Sequence, residues 1–206
     1  MSDDSSALPG GIREVFLSAL DAFEAARVPY AVLGGIAVIL HGVPRLTVDA
    51  DFVLGEERIA WPRVLSDLER RGFAYGAPGA PPRAQVDALE DLRRDSMTVL
   101  WKSRVRIDLL QAADPLHQEA LRERQAVVAF SRTIPVVRPE HLLVTKWIAG
   151  RPKDLLDVDG ILAAQGARLD LARVRAWLPA IESSGGLSVQ AFEARVRSIV
   201  GSGSAT

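Results

Sequence analysis

The sequence of 206 residues contains no cysteine and only three histidines. Disulfides, thiolate metal sites and cysteine nucleophiles are therefore excluded, and a zinc site of cysteine and histidine is disfavoured. The formal net charge of −1 gives no overall attraction to nucleic acid, although a local basic patch is compatible with that total. We therefore expect any metal site to use oxygen ligands, and partners have to be inferred from the site itself.

Targeting and membrane-spanning signals are also missing from the sequence. Residues 1–10 are polar and acidic, without the basic flank and apolar core of a signal peptide. The apolar runs are all too short to span a bilayer. These features predict a cytoplasmic location and no membrane partner.

The overall composition is that of a folded protein, with 48% hydrophobic and 25% charged residues. A chain of this length holds one substantial domain, or a compact domain with a smaller helical extension. We expect a core at 11–112, a mainly helical portion at 113–199, and flexible ends at 1–10 and 200–206.

The periodicity of apolar residues predicts an α+β fold, in which helices flank a mixed sheet and the C-terminal portion is helical. The predicted helices are 12–28, 36–40, 56–71, 115–124, 139–149, 153–164 and 171–181. The predicted strands are 30–33, 46–54, 97–102 and 104–110, with an extended piece at 126–137 and a loop at 74–82.

Two aspartates share one face of the predicted strand at 46–54. The alternation places Val48, Ala50, Phe52 and Leu54 on one face and Thr47, Asp49, Asp51 and Val53 on the other. Carboxylates two residues apart on a strand stand roughly 7 Å from each other along the backbone, close enough to share hard cations. Magnesium prefers such oxygen ligands and completes its shell with water and substrate phosphates. Asp108, on the strand at 104–110, is a third carboxylate that could hold a second metal and activate an attacking hydroxyl.

An Asp-x-Asp pair by itself is most often a solvated strand face or a turn. The order of elements around this pair is more specific: a strand, the Gly34-Gly35 turn, a helix and then the acidic strand. Such a turn before a helix offers backbone N–H groups to a phosphate, although a purely structural turn is an equal alternative.

The run LGGIAVILHGVPRLTVDADFVL resembles the signature of the DNA polymerase β-like nucleotidyltransferase superfamily. More narrowly, it resembles the group of AbiEii-type toxins and related minimal nucleotidyltransferases. The matching positions are Gly34, Gly35, Arg45, Thr47, Asp49 and Asp51. VRIDLL resembles the third acidic strand of that family, and KWIAGRPKDLLDV resembles its helical lysine and aspartate motifs. The resemblance covers residues 30–162 in pieces, with little from 56–95.

This resemblance implies a nucleotidyltransferase-like sheet and a magnesium-dependent transfer of a nucleoside monophosphate from an NTP. Asp49 and Asp51 would bind magnesium, with two ions expected, and Asp108 would complete the site as a base or metal ligand. Gly34 and Gly35 would contact the triphosphate.

Other residues have two interpretations each. Lys146 would neutralise phosphate charge, or it is a solvated helix lysine. Lys153 and Asp154 would act at the nucleotide, whereas Lys153 and Asp157 are also spaced to pair along one helix. Arg45 and Thr47 would support the metal-binding strand or touch phosphate. His41 would bond a carbonyl at a helix end or act on substrate.

The residues leave the acceptor hydroxyl open: a tRNA 3′ end, a protein or a small molecule such as an aminoglycoside. The resemblance favours RNA or protein, in a toxin–antitoxin or phage-defence setting with a cognate antitoxin as partner. Two other hypotheses are a non-catalytic nucleotide-binding or regulatory protein and a phosphohydrolase that uses the same metal site on water. The chain is shorter than many toxins of that group, so the acceptor surface is not predicted.

Overall fold

The computed structural model describes residues 8–55 and 60–201, and these form nine α-helices and six strands. The helices are α1 (Gly10–Ala26), α2 (Gly34–Leu40), α3 (Trp61–Arg70), α4 (Gln85–Asp95), α5 (Pro115–Arg122), α6 (Pro139–Ala149), α7 (Pro152–Gln165), α8 (Leu171–Ser183) and α9 (Val189–Ile199). The strands are β1 (Tyr30–Leu33), β2 (Asp49–Leu54), β3 (Met97–Lys102), β4 (Val105–Gln111), β5 (Gln125–Ala129) and β6 (Arg132–Val136). Among the described helices, none combines the length and apolar character needed to cross a membrane.

The described residues group into two compact units. The first comprises 8–36 and 45–137 and contains the whole sheet, whereas the second comprises 37–44 and 138–201 and contains α6 to α9. The predicted organisation into a core at 11–112 and a mainly helical portion at 113–199 stays a prediction.

The six strands of the first unit form one mixed sheet in the order β3-β4-β2-β1-β6-β5. β2 pairs antiparallel with β1 and parallel with β4. The hairpins β3-β4 and β5-β6 are antiparallel, and β1 pairs in parallel with β6. The sheet confirms the predicted α+β class. It also places β2 in the middle, beside the strand that carries the third aspartate.

Aromatic side chains of α1 cover one face of this sheet. The rings of Phe16 and Phe23 lie 5.7 Å and 5.0 Å from the ring of Phe52 on β2, and all three side chains are fully buried. Successive side chains of a strand point to opposite faces, so Asp51 and Val53 point away from α1. The packing of α1 therefore decides which face of the sheet carries the acidic groups.

The first unit differs from the sequence-based expectations in three places. β2 begins at Asp49, and Val48, predicted on the same strand face as Ala50 and Phe52, is 76% exposed. Residues 85–95 form α4, whose two buried apolar residues, Ala88 and Leu92, are too few to give a clear helical pattern. The extended piece at 126–137 is the hairpin β5-β6, which turns at Phe130 and Ser131 with φ of 51° and 59°.

Other predictions fall partly on residues outside the described ranges. The helix predicted at 56–71 is observed from Trp61, and residues 56–59 lie outside the described residues. The same holds for 1–7 and 202–206 of the predicted flexible ends. Residue 10 already belongs to α1.

In the second unit, Trp147 of α6 anchors the helices. Its ring lies 5.3 Å from the ring of Phe192 on α9, and its indole N–H donates a hydrogen bond of 3.2 Å to the carbonyl of Leu187. Trp147 and Phe192 are almost completely buried. α9, which the periodicity did not resolve, is held by this ring contact and by the ion pairs Arg175–Glu193 and Arg195–Asp159.

Candidate active site

Asp49, Asp51 and Asp108 lie on the same face of the neighbouring strands β2 and β4. The parallel register pairs Asp51 with Asp108 and Asp49 with Arg106. Paired residues of adjacent strands are about 4.8 Å apart and point to the same side of the sheet. The sheet therefore places the three predicted carboxylates on one face of two adjacent strands, with a guanidinium beside them.

Thr47 orients the first of these carboxylates. Its hydroxyl lies 3.0 Å from Oδ1 and 3.1 Å from the backbone carbonyl oxygen of Asp49, and can donate to either. Thr47 is only 4% exposed, so water competes poorly for this hydroxyl. The contact is of the supporting kind that holds a ligand side chain in one rotamer.

Gly34 and Gly35, predicted as a turn before the helix, are the first two residues of α2, and this glycine turn packs directly against the acidic strand. A methyl group built on Gly34 would lie 1.8 Å from Oδ2 of Asp51, and one on Gly35 would lie 2.6 Å from Oγ1 of Thr47. Gly34 also has a φ of +62°, in the left-handed region that favours glycine. A side chain at Gly34 would therefore displace Asp51, and a side chain at Gly35 would displace Thr47.

Arg45 brings a positive charge to the same place. Its Nε donates a hydrogen bond of 3.1 Å to the carbonyl of Leu46, and its Cζ would lie 3.4 Å from a methyl group on Gly35. The guanidinium therefore lies beside the glycine turn, close to the hydroxyl of Thr47.

Asp108 is held by Arg106, two residues earlier on the same strand. Nε and Nη2 of Arg106 donate hydrogen bonds of 2.6 Å each to Oδ1 and Oδ2 of Asp108. Burial raises the pKa of the Asp108 carboxyl above its ordinary value; Arg106 opposes this rise and the negative charge of Asp49 adds to it. Asp108 is therefore a largely buried acidic side chain whose two oxygens both bond Arg106.

This donor set fits a divalent cation of the magnesium type. The three carboxylates supply hard oxygen ligands from adjacent strand positions, with no nitrogen or sulfur ligand among them. The charge of Asp49 also opposes ionisation of Asp108. A cation placed between them would relieve that repulsion.

Lys146 and its neighbours form a buried ion cluster within the second unit. Nζ of Lys146 lies 3.1 Å from Oδ1 of Asp154 and 2.8 Å from Oδ2 of Asp157, and the lysine side chain is 11% exposed. The interpretation of Lys146 as a solvated helix lysine is therefore wrong. Its role at a phosphate stays a prediction.

The remaining candidate residues of the second unit have different surroundings. Asp154 is fully buried and accepts hydrogen bonds from Lys146 and Arg151, whereas Lys153 is exposed. Burial acts to raise the pKa of Asp154, but those two hydrogen bonds lower it below its ordinary value. His41 is buried at the end of α2, where its backbone carbonyl accepts a bond of 2.6 Å from Nε2 of Gln165. The nucleotide-binding roles of Lys153 and Asp154 stay predictions.

Arg106 lies within the VRIDLL segment, but the sequence analysis assigned it no role in the site. The alternation of β4 already places Arg106 on the face of Asp108. The missing signal was the register with β2, which puts Arg106 next to Asp49.

Residues 16–198 match the model of a family described as nucleotidyl transferase AbiEii toxin, type IV TA system. The match extends well beyond the two aspartates and includes the sheet and the C-terminal helices. A comparison with curated proteins found no match.

Two solved nucleotidyltransferase structures are similar in fold to this chain. The complex of ANT(2″)-Ia with adenylyl-2″-tobramycin has a TM-score of 0.55 and 17% identity, covering 84% of this chain and 98% of that one. The lincomycin-bound lincosamide antibiotic adenylyltransferase LnuA has a TM-score of 0.51 and 18% identity, covering 77% of this chain and 99% of that one. At such identities the likeness shows the fold alone, and it confirms the predicted nucleotidyltransferase-like fold.

Proposed function

The chain belongs to the family of AbiEii nucleotidyl transferase toxins. We propose that it transfers a nucleoside monophosphate from an NTP to a hydroxyl group. The acceptor is either the 3′ end of a tRNA or a protein side chain. The observation that carries this proposal is the parallel register of β2 and β4, which sets Asp51 beside Asp108 with Asp49 on the same face. All three acidic positions are present, which argues for turnover over a purely regulatory role.

In this proposal Asp49, Asp51 and Asp108 together bind two magnesium ions. Magnesium bound there would neutralise charge on the triphosphate and favour ionisation of the acceptor hydroxyl. Asp108 either completes the metal site or takes the proton of that hydroxyl as a general base. Thr47 keeps Asp49 in its binding rotamer.

The triphosphate would lie against the glycine turn. Gly34 and Gly35 present backbone without side chains, and Arg45 supplies a guanidinium at the same turn. Thr47 is the fourth residue that we assign to triphosphate binding. Lys146, Lys153 and Asp154 are proposed nucleotide-binding residues by family resemblance alone. The cluster with Asp154 and Asp157 gives Lys146 a structural role as well.

The family description supports a biological setting. We assign the chain as the toxin of a pair with a cognate antitoxin, in a type IV system or in phage defence. A cytoplasmic location fits this assignment, since NTPs, tRNA and newly made protein are found there.

One labelling experiment tests the reaction and names the acceptor. The protein is incubated with Mg²⁺ and each α-labelled NTP, in separate reactions with total RNA, total protein, tobramycin and lincomycin. Label in RNA or protein is expected, and Asp49→Asn and Asp51→Asn should abolish it. Glu182→Gln, which changes an exposed carboxylate of α8 to an amide, is the matched control and should transfer label as the wild type does.

Contrary results separate the alternatives. Label in an antibiotic alone would replace the macromolecular acceptor by a small molecule. Conversion of the α-labelled NTP to labelled nucleoside monophosphate or diphosphate, without any labelled acceptor, would indicate a phosphohydrolase. Nucleotide binding that survives both aspartate substitutions, without transfer, would indicate a non-catalytic binding protein.

A further inference from the structure

The guanidinium of Arg106 donates a hydrogen bond to each oxygen of Asp108, the third carboxylate of the site. It bonds Oδ1 and Oδ2 of Asp108 at 2.6 Å each, in the two-pronged geometry that is the strongest carboxylate interaction of arginine. A metal ion that uses Asp108 needs at least one of these oxygens. Each oxygen keeps a second lone pair for a metal, but the positive charge of Arg106 at the same carboxylate opposes that of the metal ion.

The position of Arg106 allows it to leave. Its side chain is 41% exposed, whereas that of Asp108 is 12% exposed, so the arginine is the partner with room to move. Arg106 is in register with Asp49 and lies on the site face of the sheet. A movement away from Asp108 thus keeps the guanidinium near any group bound over the acidic strands.

A triphosphate offers the arginine an equivalent partner. Phosphate oxygens accept the same two parallel N–H bonds as a carboxylate does. Exchanging Asp108 for a phosphate conserves both charge-assisted bonds and frees the carboxylate for the cation. The exchange needs both ligands, because a cation without a nucleotide leaves Arg106 without a replacement anion.

We propose that Arg106 is an exchangeable counter-ion, bound to Asp108 in the free protein and transferred to the triphosphate when the nucleotide and metal bind. The proposal rests on the proposed function, since it takes Asp108 as a metal ligand. In consequence, nucleotide binding and metal binding are coupled. The nucleotide increases the affinity for the metal by more than its phosphates would as metal ligands alone.

The test measures Mn²⁺ binding from the EPR signal of the free ion, first with Mn²⁺ alone and then with a non-hydrolysable analogue of each common NTP. Arg106→Gln should bind Mn²⁺ alone about tenfold more tightly than the wild type, because a positive charge next to the ligands is removed. The increase in Mn²⁺ affinity on adding nucleotide should be smaller in this variant than in the wild type. Arg106→Lys keeps the charge but not the two-pronged bond, and it should lie between the two.

Arg104→Gln is the matched control, since it removes the same charge from an exposed residue of the same hairpin. It should leave Mn²⁺ affinity as in the wild type. Arg106→Lys also serves if Arg106→Gln does not fold, because it preserves the charge balance of the strand.

The outcomes separate this inference from the proposed function. If Asp51→Asn abolishes Mn²⁺ binding but both Arg106 variants bind Mn²⁺ alone no better than the wild type, Arg106 is not the counter-ion and the metal site stands. If the wild type and all variants bind no Mn²⁺, with or without nucleotide, both proposals are overturned.

Discussion

The carboxylate of Asp51 occupies the space that a side chain at Gly34 would need. A methyl group on Gly34 would come within 1.8 Å of Oδ2 and 2.5 Å of Cγ of Asp51. The two residues meet because β1 and β2 pair so that Leu33, directly before Gly34, is opposite Asp51. The glycine turn and the acidic strand are therefore one structural unit.

Gly34→Ala should displace Asp51 and abolish metal binding and transfer. A left-handed backbone by itself costs an alanine roughly 1–2 kcal/mol of stability. The free energy of unfolding should fall by more than this, because the added methyl group also clashes with the side chain of Asp51. Gly42→Ala is the control, because Gly42 also has a positive φ, of 90°, but its methyl group would meet nothing within 4 Å. Mn²⁺ titration and urea unfolding of both variants check this. Equal loss of binding in the two variants would contradict it.

Thr47→Val should weaken metal binding by about 10–100-fold, as for other residues that orient a metal ligand. Valine keeps the shape of threonine but removes the hydroxyl that bonds Oδ1 of Asp49. Thr47→Ser retains the hydroxyl and should bind nearly as well as the wild type. The measurement is Mn²⁺ affinity in each variant. If the serine variant is as weak as the valine variant, the packing of the methyl group matters and the hydrogen bond does not.

Lys146→Met should destabilise the protein by about 3–5 kcal/mol, because it leaves Asp154 and Asp157 buried without their shared cation. Lys153→Met, on the neighbouring helix at an exposed position, should change the free energy of unfolding by less than about 0.5 kcal/mol. Urea unfolding compares the two variants. A Lys146 variant that stays stable but no longer binds NTP would favour the phosphate role instead.

The buried cluster should also respond to acid. The pKa of Asp154 lies below its ordinary value of 3.8, because hydrogen bonds from Arg151 and Lys146 outweigh the effect of burial. A carboxyl with a lowered pKa stabilises the folded state above its unfolded-state pKa and loses that contribution as pH falls through the folded-state pKa. The wild type should therefore exceed Asp154→Asn in unfolding free energy at neutral pH, and this difference should shrink below pH 3.8.

Urea titrations at neutral pH and at several values below 3.8 measure this difference. Glu182→Gln, which changes an exposed carboxylate of α8, is the control and should follow the wild type at every pH. A difference between the wild type and Asp154→Asn that stays constant down to the lowest pH would show that Asp154 does not titrate in this window.

The amino-acid sequence by itself determined those features that depend on neighbours along the chain. β1 and α6 were predicted at their observed residues, because short apolar runs between glycine and proline signals have few other conformations. The alternation of β2 fixed Asp49 and Asp51 on one face, since side-chain direction follows from the backbone geometry of a strand. α4 was missed because its surface position leaves too few apolar residues for a periodic pattern.

Only the tertiary structure decided which of these faces meet. The pairing of Asp51 with Asp108, and of Asp49 with Arg106, depends on a parallel register between strands that are far apart in the sequence. That register is set by the packing of the whole sheet, which no local pattern encodes. The same holds for the burial of Lys146 between Asp154 and Asp157 and for the contact of Gly34 with Asp51. Sequence periodicity gives each side chain a direction, and long-range packing gives it a partner.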